Sequence, residues 1–185
     1  MTSNWQRLAV ILVLATLSSC GGSKGVKSEA GSASVTSGSG PVLVVSDQIP
    51  FAQNAEVRQA VRDDCRLPDK LSQFIRQYVA DYSSQIISDP TKAPKGAQIL
   101  IAEIYSVTGG GGGTWSGGKS VSVQGRLEQD GKIIGTFKGR RFSGGGVFGG
   151  YKGTCAIMGR CVKTLGRDIA EWLRQPTDNA ILGDM

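Results

Sequence analysis

Residues 120–142 read SVSVQGRLEQDGKIIGTFKGRRF, and this stretch decides the fold. Apolar and polar residues alternate through 120–127 and again through 132–142, on either side of Asp130-Gly131. An Asp-Gly pair tolerates the positive φ angles of a tight primed turn. The pattern therefore predicts a β-hairpin whose two antiparallel strands are joined at this pair.

Two more strands precede the hairpin. Residues 41–46 (PVLVVS) form a β-branched run of strand length. Residues 97–107 (AQILIAEIYSV) are almost continuously apolar, which is typical of a central strand covered on both faces. Residues 51–66 fit a helical face only briefly.

Two longer segments place apolar residues on one helical face. The first has Pro68 in its first turn, a favourable helix start. The second lies between Thr154, a plausible N-cap, and Pro176, a stop. The two apolar faces comprise Leu67, Leu71, Phe74, Ile75, Tyr78, Val79 and Tyr82, and Ile157, Met158, Cys161, Val162, Leu165, Ile169, Trp172 and Leu173.

The elements follow the order β-α-β-β-β-α. A strand–helix–strand opening predicts a right-handed parallel crossover, and the hairpin adds antiparallel strands. We therefore expect an α/β (α+β) fold, with a single mixed sheet of about four strands and two main helices packed against it.

The N-terminal residues are typical of an export signal. Arg7 precedes the ten-residue apolar run 8–17 (LAVILVLATL), which is too short to cross a bilayer but suits a signal-peptide core. The run ends in Leu17-Ser18-Ser19-Cys20, which resembles the lipobox of bacterial lipoprotein precursors. That resemblance implies cleavage before Cys20 and acylation of this cysteine. An ordinary cleaved signal with a chance cysteine is the alternative.

The composition then divides the chain into four parts. Residues 21–40 are Gly/Ser-rich, without aromatic residues, and predict a flexible coil with a reach of about 25 Å. We expect a signal peptide at 1–19, a lipidated cysteine and tether at 20–40, a periplasmic domain at 41–176 and a C-terminal tail at 177–185.

The chain contains no histidine. This excludes Ser-His and Cys-His nucleophile pairs, a histidine general base and the commonest metal ligand. The carboxylate pairs Asp63-Asp64 and Asp168 with Glu171 remain, and Arg167 and Arg174 beside the second pair suggest surface ion pairs. We expect no catalytic residue, no metal and no cofactor.

Positive charge is concentrated in the second half of the domain. Residues 41–114 hold seven Lys/Arg and eight Asp/Glu, whereas residues 115–175 hold eleven and four. The glycine-rich residues 144–153 precede the predicted helix that begins near Thr154. Backbone N–H groups at a helix N-terminus, with positively charged side chains beside them, favour binding of an anion. The alternative is a solvated basic surface with a glycine hinge. The candidate anion-binding residues are Arg140, Arg141 and Lys152, with Lys138 nearby.

The alternation of side chains along a strand limits this candidate site. It places Arg140 and Arg141 on opposite faces of the sheet, and the alternative is therefore that one of them is internal and ion-paired. Trp115 and Tyr151, each near glycines, are further candidate contacts.

Three cysteines remain after Cys20, and the periplasm favours disulfides. Cys155 and Cys161 are six residues apart, which on one helix is too far for a bridge. Cys161 belongs to an apolar helical face and is interpreted as a buried thiol. We therefore predict a Cys65–Cys155 disulfide, with a reactive thiolate at Cys155 as the alternative.

Residues 109–173 contain TWSGGKSV, GRRFSGGGVFGGYKGTC and LGRDIAEWL, and they resemble a family of small proteobacterial envelope lipoproteins without an assigned activity. The element order is also similar to small domains of envelope-assembly lipoproteins, such as curli-secretion and cell-wall-synthase activators. We expect a non-enzymatic binding or envelope-assembly accessory. Gly21 follows the lipobox cysteine where, in similar lipoproteins, an aspartate favours inner-membrane retention, so the resemblance implies the outer membrane. Its partners would be the membrane, through the lipid, and an envelope protein or anionic cell-wall polymer, with no nucleic acid. A carboxylate-dependent hydrolase and a sensor of an anionic glycan or lipid are the alternatives.

Overall fold

The sheet of this protein is built around the predicted hairpin. A computed structural model describes residues 34–35, 38–109, 118–144 and 153–185. Asp130 and Gly131 both have positive φ, 49° and 76°, as a primed turn requires. The hairpin is therefore confirmed, and its strands extend slightly beyond the predicted ranges. The strands are β1 Ser34–Val35, β2 Gly40–Val45, β3 Phe51–Glu56, β4 Ser83–Ile87, β5 Gln98–Thr108, β6 Lys119–Gln129, β7 Lys132–Ser143 and β8 Ala180–Gly183.

Three helices accompany these strands, and the two long ones were predicted from their apolar faces. A 3₁₀ turn, Pro90–Lys92, lies between β4 and β5. The eight apolar positions of the second predicted face are all buried. The helices are α1 Gln59–Asp64, α2 Leu67–Val79 and α3 Thr154–Arg174.

The strand order is β1-β4-β2-β5-β6-β7-β8, and β3 pairs with β5 as an additional strand. The prediction of one mixed α/β sheet is confirmed, but the estimate of about four strands was wrong. Strand β2 is parallel to β4 and β5, β7 is parallel to β8, and the hairpin is antiparallel. The strands β1, β3, β4 and β8 were not predicted. Of these, β1 lies within the expected tether and β8 within the expected tail.

The helices α2 and α3 pack closely against each other. A Cβ added at Gly166 would lie 2.6 Å from Cβ of Phe74 and 3.2 Å from the backbone nitrogen of Ile75. A side chain at this position would therefore separate the two helices, which explains a glycine in the middle of α3.

The described helices cover one face of the sheet. In β5 the alternate residues Leu100, Ala102 and Ile104 are buried in the core, whereas Ile101 between them is 37% exposed. The expectation that this strand is covered on both faces was wrong. Its sequence is almost continuously apolar, but one of the apolar residues, Ile101, lies on a face that no described helix covers. The face that carries Ile101 is called the open face below.

Candidate functional site

The open face is formed by side chains that alternate with the core residues of β5 to β8. Backbone register places Glu103 beside Gln124, Gln124 beside Lys138, and Lys138 beside Ile181. These four side chains make one row across the sheet, because opposite residues of neighbouring strands share a face.

A second row runs beside the first. Ile101 is opposite Arg126, and Arg126 is opposite Thr136. Together the two rows border a cavity of about 610 Å³, which Pro50 also lines. Its volume lies within the range of roughly 300–1,000 Å³ typical of small-molecule sites. We call it the groove.

The groove combines apolar and polar side chains. Ile181 is 62% exposed, so a large apolar surface is accessible beside Lys138. The amide Nε2 of Gln124 donates to Oε1 of Glu103 at 2.8 Å. The guanidinium Nε of Arg126 lies 2.6 Å from Oε1 of Glu128. The carboxylates of Glu103 and Glu128 are therefore engaged by their neighbours.

Two other positively charged side chains of the open face differ from Arg126, which is paired with Glu128. Among the described residues, neither Lys138 nor Arg140 makes a salt bridge. Both side chains are exposed and project from alternate positions of β7. The open face therefore carries positive charge that no carboxylate of the described chain pairs directly.

The neighbouring Arg141 points the other way, toward α3. Its Nε and Nη2 donate to the two carboxylate oxygens of Asp168, at 2.7 and 3.0 Å. Its Nη1 donates to Oδ1 of Asp184 at 2.9 Å. Hydrogen bonding to Asp168 raises the pKa of Arg141. The guanidinium is thus engaged within the domain.

Asp184 fastens the C-terminal residues to the end of β7. Its Oδ2 accepts a hydrogen bond from the backbone N–H of Phe142 at 2.9 Å, and its own N–H donates to the carbonyl of Arg140 at 2.8 Å. The Phe142 N–H is the largest cause that lowers the pKa of Asp184, followed by Arg141, with a smaller contribution from the charge of Arg140.

The structure does not bring the two described candidate anion-binding residues, Arg140 and Arg141, together. Arg140 and Arg141 occupy opposite faces, as strand alternation predicted, and Arg141 is the ion-paired one. A joint site of both arginines is therefore not formed, because consecutive residues of a strand point apart. Lys152 lies outside the described residues, as do Cys20, Trp115 and Tyr151.

The candidate carboxylates do not converge either. Oδ1 of Asp63 accepts from Gln59 on the same short helix. The expected helix-surface pairing of Asp168 was wrong, because Asp168 binds Arg141 of β7. Arg174 instead pairs with Asp81, at 2.7 Å. Within the described ranges, no three His, Cys, Asp or Glu side chains are placed to hold a metal ion.

Cys65 and Cys155 are joined by a disulfide, with their Cα atoms 4.8 Å apart. This is the pairing predicted from the sequence. Cys161 is a buried free thiol, and burial raises its pKa. Its Sγ lies 3.8 Å from the carbonyl oxygen of Lys119. The disulfide ties the end of α1 to the first turn of α3.

Sequence reasoning missed the groove. The charge pattern includes Lys138, but it gives no indication that Ile101 and Ile181 lie at the surface. Alternation along β5 could have revealed Ile101, because it separates Leu100 from Ala102, both buried. Ile181 has no such signal, since the sequence predicts a C-terminal tail there. The fully buried Lys119, whose Nζ has no hydrogen-bond partner among the described residues, was also missed.

No helix among the described residues is long and apolar enough to cross a membrane. No protein-family model matches the chain. No curated protein sequence matches it either. The chain is similar to a crystal structure of a minor lipoprotein from Acinetobacter baumannii, with 12% identity, coverage of 69% of this chain and 97% of that chain, and a TM-score of 0.36. At that score the likeness assigns neither a fold nor a function to this chain.

Proposed function

We propose that this protein is an outer-membrane-anchored periplasmic lipoprotein that acts as a non-enzymatic binding accessory in the cell envelope. The N-terminal features support the anchor: an apolar run of signal-peptide length, followed by Cys20 in a lipobox-like sequence. The Cys65–Cys155 disulfide fits an oxidising compartment.

The observation that carries the binding role is the groove on the open face. It is a preformed cavity of about 610 Å³ that combines exposed isoleucines with polar groups, as ligand sites usually do. A solvent-exposed sheet face that binds nothing is usually polar, because exposed apolar patches promote aggregation. The groove is therefore the surface through which we expect this protein to bind its partner.

The test is a photo-crosslinking experiment in intact cells. A photoreactive residue placed at Ile181 is expected to capture a partner, and the same residue placed at Lys163 serves as the control. Lys163 is exposed on α3, on the helical side of the domain. Adducts specific to position 181 support the proposal. Equal adducts at both positions, or none at position 181, would refute binding through the groove.

A further inference from the structure

Exposed apolar side chains concentrate on the open face. In the part of the chain that the structure describes, five large hydrophobic residues are exposed. Ile101 and Ile181 border the groove, Ile133 is opposite the outward-facing Glu128, and Phe142 follows Lys138 and Arg140 at alternate positions of β7. The fifth, Met185, is the C-terminal residue. Four of the five therefore share one face.

Positive charge lies between these apolar residues. Along β7 the outward side chains of Lys138 and Arg140 lie between Ile133 and Phe142, and neither makes a salt bridge among the described residues. The carboxylates of Glu103 and Glu128 are already engaged by Gln124 and Arg126. The surface thus combines exposed apolar side chains with positive charge that no described carboxylate pairs, and this combination complements an anionic amphiphile.

We propose that the groove binds the acyl chain of one anionic phospholipid, whose phosphate contacts Lys138 and Arg140. This assignment rests on the proposed function, because the predicted tether and lipid anchor hold the domain near a membrane surface, where phospholipids are available. The acyl chain lies against Ile101 and Ile181, and the cavity has the volume of a small-molecule site.

A peptide strand fits the observations less well. Addition of a strand would use the outer edge of β8, which has only four residues and ends at Gly183, whose φ is +81°. Beyond it, Asp184 bonds both to the Arg140 carbonyl and to the Phe142 N–H, and so occupies the edge of β7. Short, blocked edges disfavour strand addition.

A second copy of the chain is also disfavoured. Two open faces in contact would place the Lys138 and Arg140 charges of both copies in one interface. Like charges at an interface oppose association. An anionic lipid has no such conflict.

The experiment measures lipid binding to the exported full chain carrying Cys20→Ala, so that no acyl group of its own competes for the groove. The probes are lysophosphatidylglycerol and lysophosphatidylcholine, both below their critical micelle concentrations, and binding is followed by native mass spectrometry and calorimetry. We expect one lysophosphatidylglycerol per chain, roughly tenfold tighter than the zwitterionic lipid. Raising the salt concentration should reduce this preference.

Matched variants separate site binding from general electrostatics. Lys138→Gln with Arg140→Gln should remove the preference for the anionic lipid, whereas Ile181→Asn should weaken the binding of both lipids. The control, Lys163→Gln with Arg167→Gln, removes the same charge from exposed positions of α3. Circular dichroism of each variant confirms that it is folded.

Three outcomes would overturn lipid binding at the groove. These are absence of a complex with either lipid, an equal loss of affinity in the control variant, and tighter binding of an acidic peptide than of lysophosphatidylglycerol. Any of them leaves the proposed function intact if the wild-type chain is still acylated at Cys20 and is crosslinked from position 181.

Discussion

The ion-pair network at Arg141 provides a quantitative test of the fold. In Arg141→Gln, two carboxylates lose their cation. Asp184 is 43% exposed and can regain water, but the side chain of Asp168 is only 11% exposed. Its carboxylate would remain poorly solvated, because it lies between α3 and the sheet. We expect the free energy of unfolding to fall by about 2–3 kcal/mol. For a domain of this size, that corresponds to a decrease in Tm of roughly 4–12 °C.

The adjacent arginine is the matched control. Arg140→Gln changes the same charge on the same strand, but its side chain projects from the open face without a salt bridge among the described residues. We expect a change within about 0.5 kcal/mol. Thermal and urea unfolding, followed by circular dichroism without reductant, measure both variants. Equal destabilisation by the two substitutions would contradict the assigned orientation of these side chains.

Three further predictions concern the disulfide, the C-terminal carboxylate and the helix contact. The Cys65→Ala, Cys155→Ala double variant should lose about 4–5 kcal/mol of stability, because the bridge closes a sequence separation of 90 residues; mass mapping of a non-reduced digest that shows Cys161 in the bridge would contradict this. The pKa of Asp184 is lowered below its ordinary 3.8 in the folded state. The ionised carboxylate therefore stabilises the fold above pH 3.8, and this stabilisation is lost as the pH falls through the folded pKa. Asp184→Asn should reduce the dependence of the free energy of unfolding on pH in that range, and an unchanged dependence would exclude the effect. Gly166→Ala should destabilise by at least about 1 kcal/mol although alanine favours helices, because its Cβ would lie 2.6 Å from Phe74; a stabilised variant would disprove this close approach.

The elements with strong local patterns were predictable from the sequence. The Asp130-Gly131 turn has a composition that specifies its backbone angles, and its flanking alternation sets the register. The helices α2 and α3 are predicted by apolar faces that are too long to arise by chance. Parallel pairing of β2 with β5 followed from the intervening helix.

The missed strands lack such patterns. Strand β4 is five residues long and follows α2 almost directly, and only three of the six residues of β3 (FAQNAE) are apolar. Strand β8 is bounded by Asn179 and Gly183, both with positive φ, and its four residues look like part of a tail. Their strand conformation depends on pairing with distant strands, which a local pattern does not record.

The site residues show the same limit. Alternation along β7 correctly separated Arg140 from Arg141, but it did not indicate which of them is internal. That depends on Asp168 and Asp184, which are 27 and 43 residues away from Arg141. The groove likewise requires four strands in register, and its outermost strand was not predicted. The opposite-face relation could therefore be predicted, whereas the partners and the groove could not.

The membrane anchor is the central claim, and the acylation state of Cys20 tests it most directly. Cells are grown with a radiolabelled or clickable fatty acid, and the protein is recovered from membrane and soluble fractions. We expect the wild-type chain to carry label and to sediment with outer membranes, and Cys20→Ala to be unlabelled and released as a soluble periplasmic protein. A wild-type chain without label, or a Cys20→Ala chain that remains in the membrane fraction after its signal has been cleaved, would contradict the proposed anchor.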